Sequence, residues 1–277
     1  MPNKDIPSTP SPDLDAVRVT VPPRVTADSV THRGMTLRGW RWQAESAASG
    51  APRVLFVHGF SSTSAGPRQL FVQAARRLAA RGAVASSFDR LGQGVSDGDF
   101  FDITVRDEVE QVRAMIREIA AEGRVHVVGH SLGGVESILA AAQEEDRVAS
   151  VTLWSPAGVI VDDMTVHDRV MGEPLETMRA QGYVDLGGMP VGPAIVGDVR
   201  NDLDVYGPAR GYSGPVDVFH GAADEVVPPT YGERYAEMLS GGSITLVDGA
   251  DHEWSSLAWR RRLFDALEAR VGVNGRG

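Results

Sequence analysis

A serine can attack a carbonyl carbon only where the chain exposes it, and Gly129-His130-Ser131-Leu132-Gly133-Gly134 has the composition to do so. The apolar run Val125 to Val128 leads in as a buried strand. Val135 and Ile138 to Ala142 then continue at helical spacing, so Ser131 falls on the sharp turn between strand and helix. The flanking glycines are needed because strand and helix approach too closely there for a Cβ, and the serine backbone sits at the positive end of the helix. Gly94-Val95-Ser96-Asp97-Gly98 repeats the pattern, but the nearest strand, Ala83 to Phe88, ends well before it. Polar, Gly-rich residues surround Ser96, which reads as a loop serine.

A serine hydroxyl is a weak nucleophile at neutral pH and needs a general base, itself oriented by an acid. The turn resembles the nucleophile elbow of the α/β-hydrolases, and that resemblance implies an acid and then a histidine on loops following late strands. The strand Val216 to His220 runs into Gly221-Ala222-Ala223-Asp224-Glu225-Val226-Val227-Pro228, which makes Asp224 the acid and Glu225 the fallback. The competing role for Asp224 is a turn aspartate capping the helix that starts near Pro228 or Pro229. After the last strand, Asp248-Gly249-Ala250-Asp251-His252-Glu253 offers His252 as the base. His126, within a strand, and His220, at a strand end, read as structural. His32 and His167 read as solvated, with His167 retained as a residue that could touch ligand. His58 is expected to shape the loop after the strand Val54 to Val57 by hydrogen bonding, and His130 to pack beside the nucleophile; both are carried as candidate substrate contacts. Negative charge developing on a carbonyl oxygen calls for fixed amides, and the expected donors are the backbone N–H groups of Phe60 and Leu132.

Stepping outward to the elements, Val54 to Val57, Ala83 to Phe88, Val125 to Val128, Val148 to Trp154, Val216 to His220 and Ser243 to Val247 read as strands. Between and after them, Gln69 to Arg81, Thr104 to Ala121 with Thr104 as cap, the helix ending at Gln143, Thr230 to Leu239 and Trp254 to about Val271 read as helices. Val17 to Val21 and Val30 to Gln43 look like opening antiparallel strands, the second broken by a turn at Gly34. The alternation means a mostly parallel central sheet with helices on both sides, which gathers loop chemistry at the strand carboxyl ends. The rhythm breaks from 155 to 213, a stretch expected to be a small lid rather than a separate domain. The expected domains are a lead-in without order at 1–15, a core at 16–154 and 214–277, and the lid between.

The 277 residues carry 27 Lys and Arg against 37 Asp and Glu, a formal charge of -10 that argues against nucleic-acid backbones and anionic membrane surfaces as partners. With no cysteine, thiol nucleophiles, disulfides and thiolate metal sites are excluded. No H-E-x-x-H or P-loop pattern occurs, so neither metal nor other cofactor is expected. Asp162, Asp163 and Asp168 read as a solvated charged face. The amino end lacks a secretory pattern and no apolar run approaches a bilayer span, so a cytoplasmic location is expected. The expected partner is a small-molecule ester, with a homodimer as the assembly to consider.

Taken together, His58-Gly59-Phe60, Asp89 to Gly98, Gly129 to Gly134, His220 to Pro228 and Gly249 to His252 resemble the α/β-hydrolase superfamily, over about Arg53 to Leu267. Within it the chain is most similar to bacterial feruloyl and cinnamoyl esterases, Gly182 to Gly188 contributing through the lid. The resemblance implies a serine esterase whose lid grips the acyl part of an aryl ester. It also implies that Asp163, early in the lid, helps read a phenolic hydroxyl. Leu132 stands where those esterases often carry Gln, and Met189-Pro190 where they carry an aromatic hydroxyl. Ser131 excludes the Asp-nucleophile chemistry of dehalogenases and epoxide hydrolases. A thioesterase, acyltransferase, lyase or tailoring hydrolase using the same triad is the first alternative, and a noncatalytic binding module the second.

Overall fold

The computed structural model describes residues 21–45, 48–240 and 242–273, together with Leu14, Arg18 and Val19. The expected lead-in at 1–15 lies outside these except for Leu14. The elements follow in the order β1 (Arg24–His32), β2 (Met35–Gln43), β3 (Arg53–Val57), α1 (Leu70–Ala80), β4 (Val84–Phe88), α2 (Val105–Ile119), β5 (Val125–His130), α3 (Leu132–Gln143) and β6 (Val148–Trp154). Between β6 and the next sheet strand come α4 (Val159–Thr165), β7 (Arg169–Val170), β8 (Glu173–Pro174), α5 (Leu175–Gln181), β9 (Val184–Leu186), β10 (Met189–Val191) and α6 (Pro193–Arg200). The chain closes with β11 (Val216–Gly221), α7 (Pro229–Met238), β12 (Gly242–Val247) and α8 (Leu257–Val271).

Eight strands form one sheet in the order β1-β2-β4-β3-β5-β6-β11-β12. The pairs β1–β2 and β2–β4 are antiparallel, and all others in the sheet are parallel. Strand β3 explains why the parallel part is buried on both sides. Val54 and Phe56 pack with Leu70, Phe71, Leu263 and Phe264 of α1 and α8, whereas Leu55 and Val57 pack with Val112, Ile116 and Val135 of α2 and α3. Successive side chains point to opposite faces, so a continuous apolar run satisfies both layers at once. Each such side chain contributes roughly 1.5–3 kcal/mol by burial.

Two expectations are corrected. The described residues of Val17 to Val21 are not in strand; the first strand is instead Arg24–His32, beyond Pro22-Pro23, and it pairs with β2 across Arg33-Gly34. The last helix begins at Leu257 rather than Trp254. Trp254 has φ 55°, incompatible with a helix, and its ring is fully buried in the core under α8. Burial of a large aromatic ring outweighed the helical periodicity.

Residues 155–213 add none of their strands to the main sheet; β7–β8 and β9–β10 are separate two-stranded hairpins. Gly187 and Gly188 form the tip of the second with φ 63° and 94°, the left-handed pair that a two-residue hairpin turn requires. Met164, Val170, Leu175, Val184, Val191 and Ile195 of this segment join the apolar core on the α2/α3 side.

Candidate functional site

Ser131 caps α3 with φ 56° and ψ -125°, a conformation disfavoured for a residue with a Cβ and worth roughly 1–3 kcal/mol of stored strain. The surroundings enforce it. A Cβ on Gly129 would lie 2.3 Å from the Gly133 carbonyl oxygen, and one on Gly133 would lie 2.2 Å from that of His58. A Cβ on Gly59 would lie 2.9 Å from that of Ser131. Strand β5, helix α3 and the loop after β3 therefore meet with no room for side chains.

The loops after β11 and β12 bring the other two groups to the same sheet edge. His252 Nε2 lies 3.0 Å from Ser131 Oγ, and His252 Nδ1 lies 2.8 Å from Asp224 Oδ2. Since a carboxylate accepts only, Nδ1–H donates to Asp224 and Nε2 faces the serine hydroxyl as an acceptor. Asp224 Oδ1 accepts from the Val226 and Val227 amides at 3.0 and 2.8 Å. The helix that follows is capped by Pro228, so Asp224 organises its own turn rather than capping α7. Burial opposes ionisation of Asp224, but hydrogen bonds from His220 and His252, the charge of His252 and the Val227 amide outweigh it and hold the carboxyl well below the usual range. Glu225 is exposed beside it.

Phe60 and Leu132 both border the cavity in front of Ser131. Among the described residues neither backbone amide donates to a protein carbonyl; Leu132, as the first residue of α3, has no intrahelical acceptor. The cavity holds about 340 Å³. From the core side Phe60, Leu132, Val226 and Val227 line it, and from the 155–213 segment Val159, Ile160, Met164, Val170 and Met171 do so. Asp163 and Arg169 place charge in this apolar wall, with Arg169 Nε donating to Asp163 Oδ1 at 2.8 Å. A larger depression of about 550 Å³, lined by Arg33, Arg106, Asp107 and Glu110, lies away from the serine and holds none of these groups.

The other histidines separate by environment. His58 is fully buried, donating from Nδ1 to the Gly59 carbonyl at 2.9 Å and accepting from the Arg90 amide at 3.1 Å; burial and the Arg90 charge keep it neutral, its pKa far below the ordinary value. His130 donates from Nε2 to the His252 carbonyl at 2.8 Å with ring centroids 4.9 Å apart, and burial, then the charge of His252, lowers its pKa to about 3. Neither ring is among the residues that line the cavity in front of Ser131. His126 pairs with Ser150 Oγ at 2.8 Å. His32 is buried against Asp107 at 3.2 Å rather than solvated. His167 is exposed and outside the cavity lining. Ser96 accepts from the Arg38 amide and donates to the Asp89 carbonyl, as a loop serine does. The three carboxylates of the 155–213 segment have separate partners: Asp162 with Tyr231, Asp163 with Arg169, and Asp168 with Arg179 and Arg200.

His220 is structural, as its sequence position suggests, but its closeness to the acid was not foreseen, and Arg90 had been given no role. His220 donates to the Val227 carbonyl at 2.9 Å and lies 3.4 Å from Asp224 Oδ2; its i, i+4 spacing from Asp224 was the available signal. Arg90 is wholly buried under the loop after β3, and its place directly after a strand end beside Asp89 was the only hint.

Comparison with known proteins sets this geometry in context. The family model described as Alpha/beta hydrolase family matches residues 54–266. The ferulic-acid-bound structure of Est1E from Butyrivibrio proteoclasticus superposes with a TM-score of 0.78 at 21% identity, covering 89% of this chain and 100% of that one. Alpha/beta hydrolase domain-containing protein 10 from mouse gives 0.72 at 21% identity over 89% and 98%. Among curated sequences, 2-(acetamidomethylene)succinate hydrolase of Mesorhizobium japonicum is 34% identical over 100 residues, 36% of this chain and 34% of that protein. Human monoglyceride lipase is 25% identical over 164 residues, 57% and 52% respectively. The matches thus span between a third and about half the length of these curated relatives.

Proposed function

The chain belongs to the alpha/beta hydrolase family, and on that premise we propose that it hydrolyses a carboxylic ester through an acyl-enzyme formed on Ser131. The observation that carries this reading is the hydrogen-bonded chain from Ser131 Oγ through the His252 ring to Asp224, at 3.0 and 2.8 Å. Ser131 Oγ bonds to the acyl carbon while His252 Nε2 takes its proton. The imidazolium, stabilised by Asp224, then gives that proton to the departing alkoxide as the C–O bond breaks. Water repeats the sequence on the acyl-enzyme and frees the acid. The Phe60 and Leu132 amides bind the oxyanion in both halves.

The 155–213 segment acts as the lid of this reading, closing an apolar acyl site with the Asp163–Arg169 pair for a polar group on the acyl part. An aryl or hydroxycinnamoyl ester has that shape, and the ferulic acid bound by Est1E is a compatible acyl group. The test is steady-state hydrolysis of p-nitrophenyl acyl esters, methyl ferulate and acyl thioesters by wild type and Ser131→Ala. Removing a triad member costs about 10⁴- to 10⁶-fold in comparable enzymes. Loss of that order on esters supports the proposal; turnover unaffected by the substitution refutes it. Preference for thioesters would move the reaction to the thioesterase alternative.

A further inference from the structure

We propose that Arg90 is a positioning residue for ester hydrolysis, acting with His58 to fix the Gly59–Phe60 peptide so that the Phe60 N–H faces the acyl carbonyl. Arg90 Nη1 donates to the His58 carbonyl at 2.5 Å and Nη2 to the Gly59 carbonyl at 3.0 Å. The Gly59 carbonyl also accepts from His58 Nδ1 at 2.9 Å. That carbonyl and the Phe60 N–H belong to one planar trans unit and point in opposite directions. Two donors drawing the oxygen inward therefore turn the N–H outward, to the side where Phe60 borders the cavity. Glycine has little intrinsic preference between orientations, and Gly59 must be glycine because it abuts Ser131. Without an external clamp, nothing local would choose the productive orientation.

The cost of the arrangement shows that packing alone does not explain it. Arg90, Glu108 and Glu136 are all wholly buried, with Arg90 2.9 Å from Glu108 and 3.1 Å from Glu136. Such clusters are commonly no more stable than apolar residues of the same volume. Glu136 stands on α3, one turn from the nucleophile, and Glu108 on α2. Glu108 accepts from Arg90 Nε at 2.9 Å, which leaves the two Nη groups aimed at two successive carbonyls, a task the planar guanidinium performs and a lysine ammonium does not.

This proposal rests on the esterase reading, and its test separates the two. Arg90→Lys keeps the positive charge but not the fork. Loss of one oxyanion donor costs about 10²–10³ in kcat, so a disoriented one is expected to cost roughly 10- to 100-fold with KM within about threefold. Affinity for a trifluoromethyl ketone, which mimics the oxyanion on Ser131, is expected to fall in parallel. Val112→Ala, a core change in α2, serves as a stability control expected to lower Tm without touching kcat. A crystal structure of Arg90→Lys reads the peptide orientation without turnover. If that variant does not fold, His58→Phe, which removes the second donor while keeping ring volume, carries the same measurements. Wild-type kcat and ketone affinity in a folded clamp variant, or an unmoved Gly59–Phe60 peptide, would overturn the proposal. Failure of the esterase reading would show separately, as a wild type that forms no Ser131 adduct.

Discussion

At Ser131, His252 and Asp224 the proposed chemistry depends on proton inventory as much as on distance. Asp224 turns one oxygen to two backbone amides and the other to His252 Nδ1, with His220 3.4 Å from that same oxygen, so the imidazole of His252 is held in the tautomer that leaves Nε2 free to accept. Asp224→Asn preserves shape but offers an amide that can favour the wrong tautomer. Its kcat is expected to fall about 10³- to 10⁴-fold with KM little changed. Burst and steady-state kinetics check this, and a loss under tenfold would remove Asp224 from the mechanism. His126 supplies a test of stability rather than catalysis. Burial, with the charges of Arg270 and Arg124, lowers its folded pKa from 6.5 to about 4. Its contribution to stability is therefore full above the unfolded value and declines as pH falls from 6.5 toward 4, because only the unfolded chain takes the proton there. Urea unfolding of His126→Gln across this range is expected to show a slope of stability against pH reduced by up to about 1.4 kcal/mol per unit. Identical slopes would contradict the assignment.

At the scale of elements, what could be read from sequence was whatever local chemistry dictates. The run Val148 to Trp154, the Thr104 cap and the serine turn are set by nearest neighbours, and the structure has them where the residues place them. The Ser131, Asp224 and His252 positions were legible for the same reason: each lies on the turn or loop after a strand whose apolar run is visible. The start of α8 and the extent of β1 were not, because a buried indole and cross-strand pairing decide them. Nor was Arg90 legible as a clamp, since its partners lie on α2, α3 and the loop after β3, which no spacing rule connects. The strand-helix turn itself yields a sharp expectation. Gly133→Ala sets a methyl against the Val57 and His58 carbonyls at 2.3 and 2.2 Å, both backbone atoms with nowhere to go. A loss of more than about 3 kcal/mol in urea unfolding, or insoluble expression, is expected.

Across the whole molecule, one sheet edge gathers the three candidate groups, and residues 155–213, outside the main sheet, line the cavity in front of Ser131. Strands β3, β5, β11 and β12 each end at a loop carrying one component, with β5 and its serine between β3 and β6. Residues 155–213 supply nine of the fifteen residues that line the cavity, so acyl preference should be adjustable there without disturbing the chemistry. Ile160→Trp, on that wall, is expected to lower kcat/KM for methyl ferulate and long-chain p-nitrophenyl esters at least about tenfold relative to p-nitrophenyl acetate. Equal effects on all chain lengths would remove this segment from acyl recognition. Among the described residues no helix is long and apolar enough to cross a membrane.

The most direct test of the central claim is to treat the purified protein with a fluorophosphonate and map the adduct by peptide mass spectrometry. The mass increase is expected on the peptide bearing Ser131, and is expected to be lost in Ser131→Ala and slowed severely in His252→Ala. No adduct on folded protein, or one on Ser96 or another serine instead, would contradict the account.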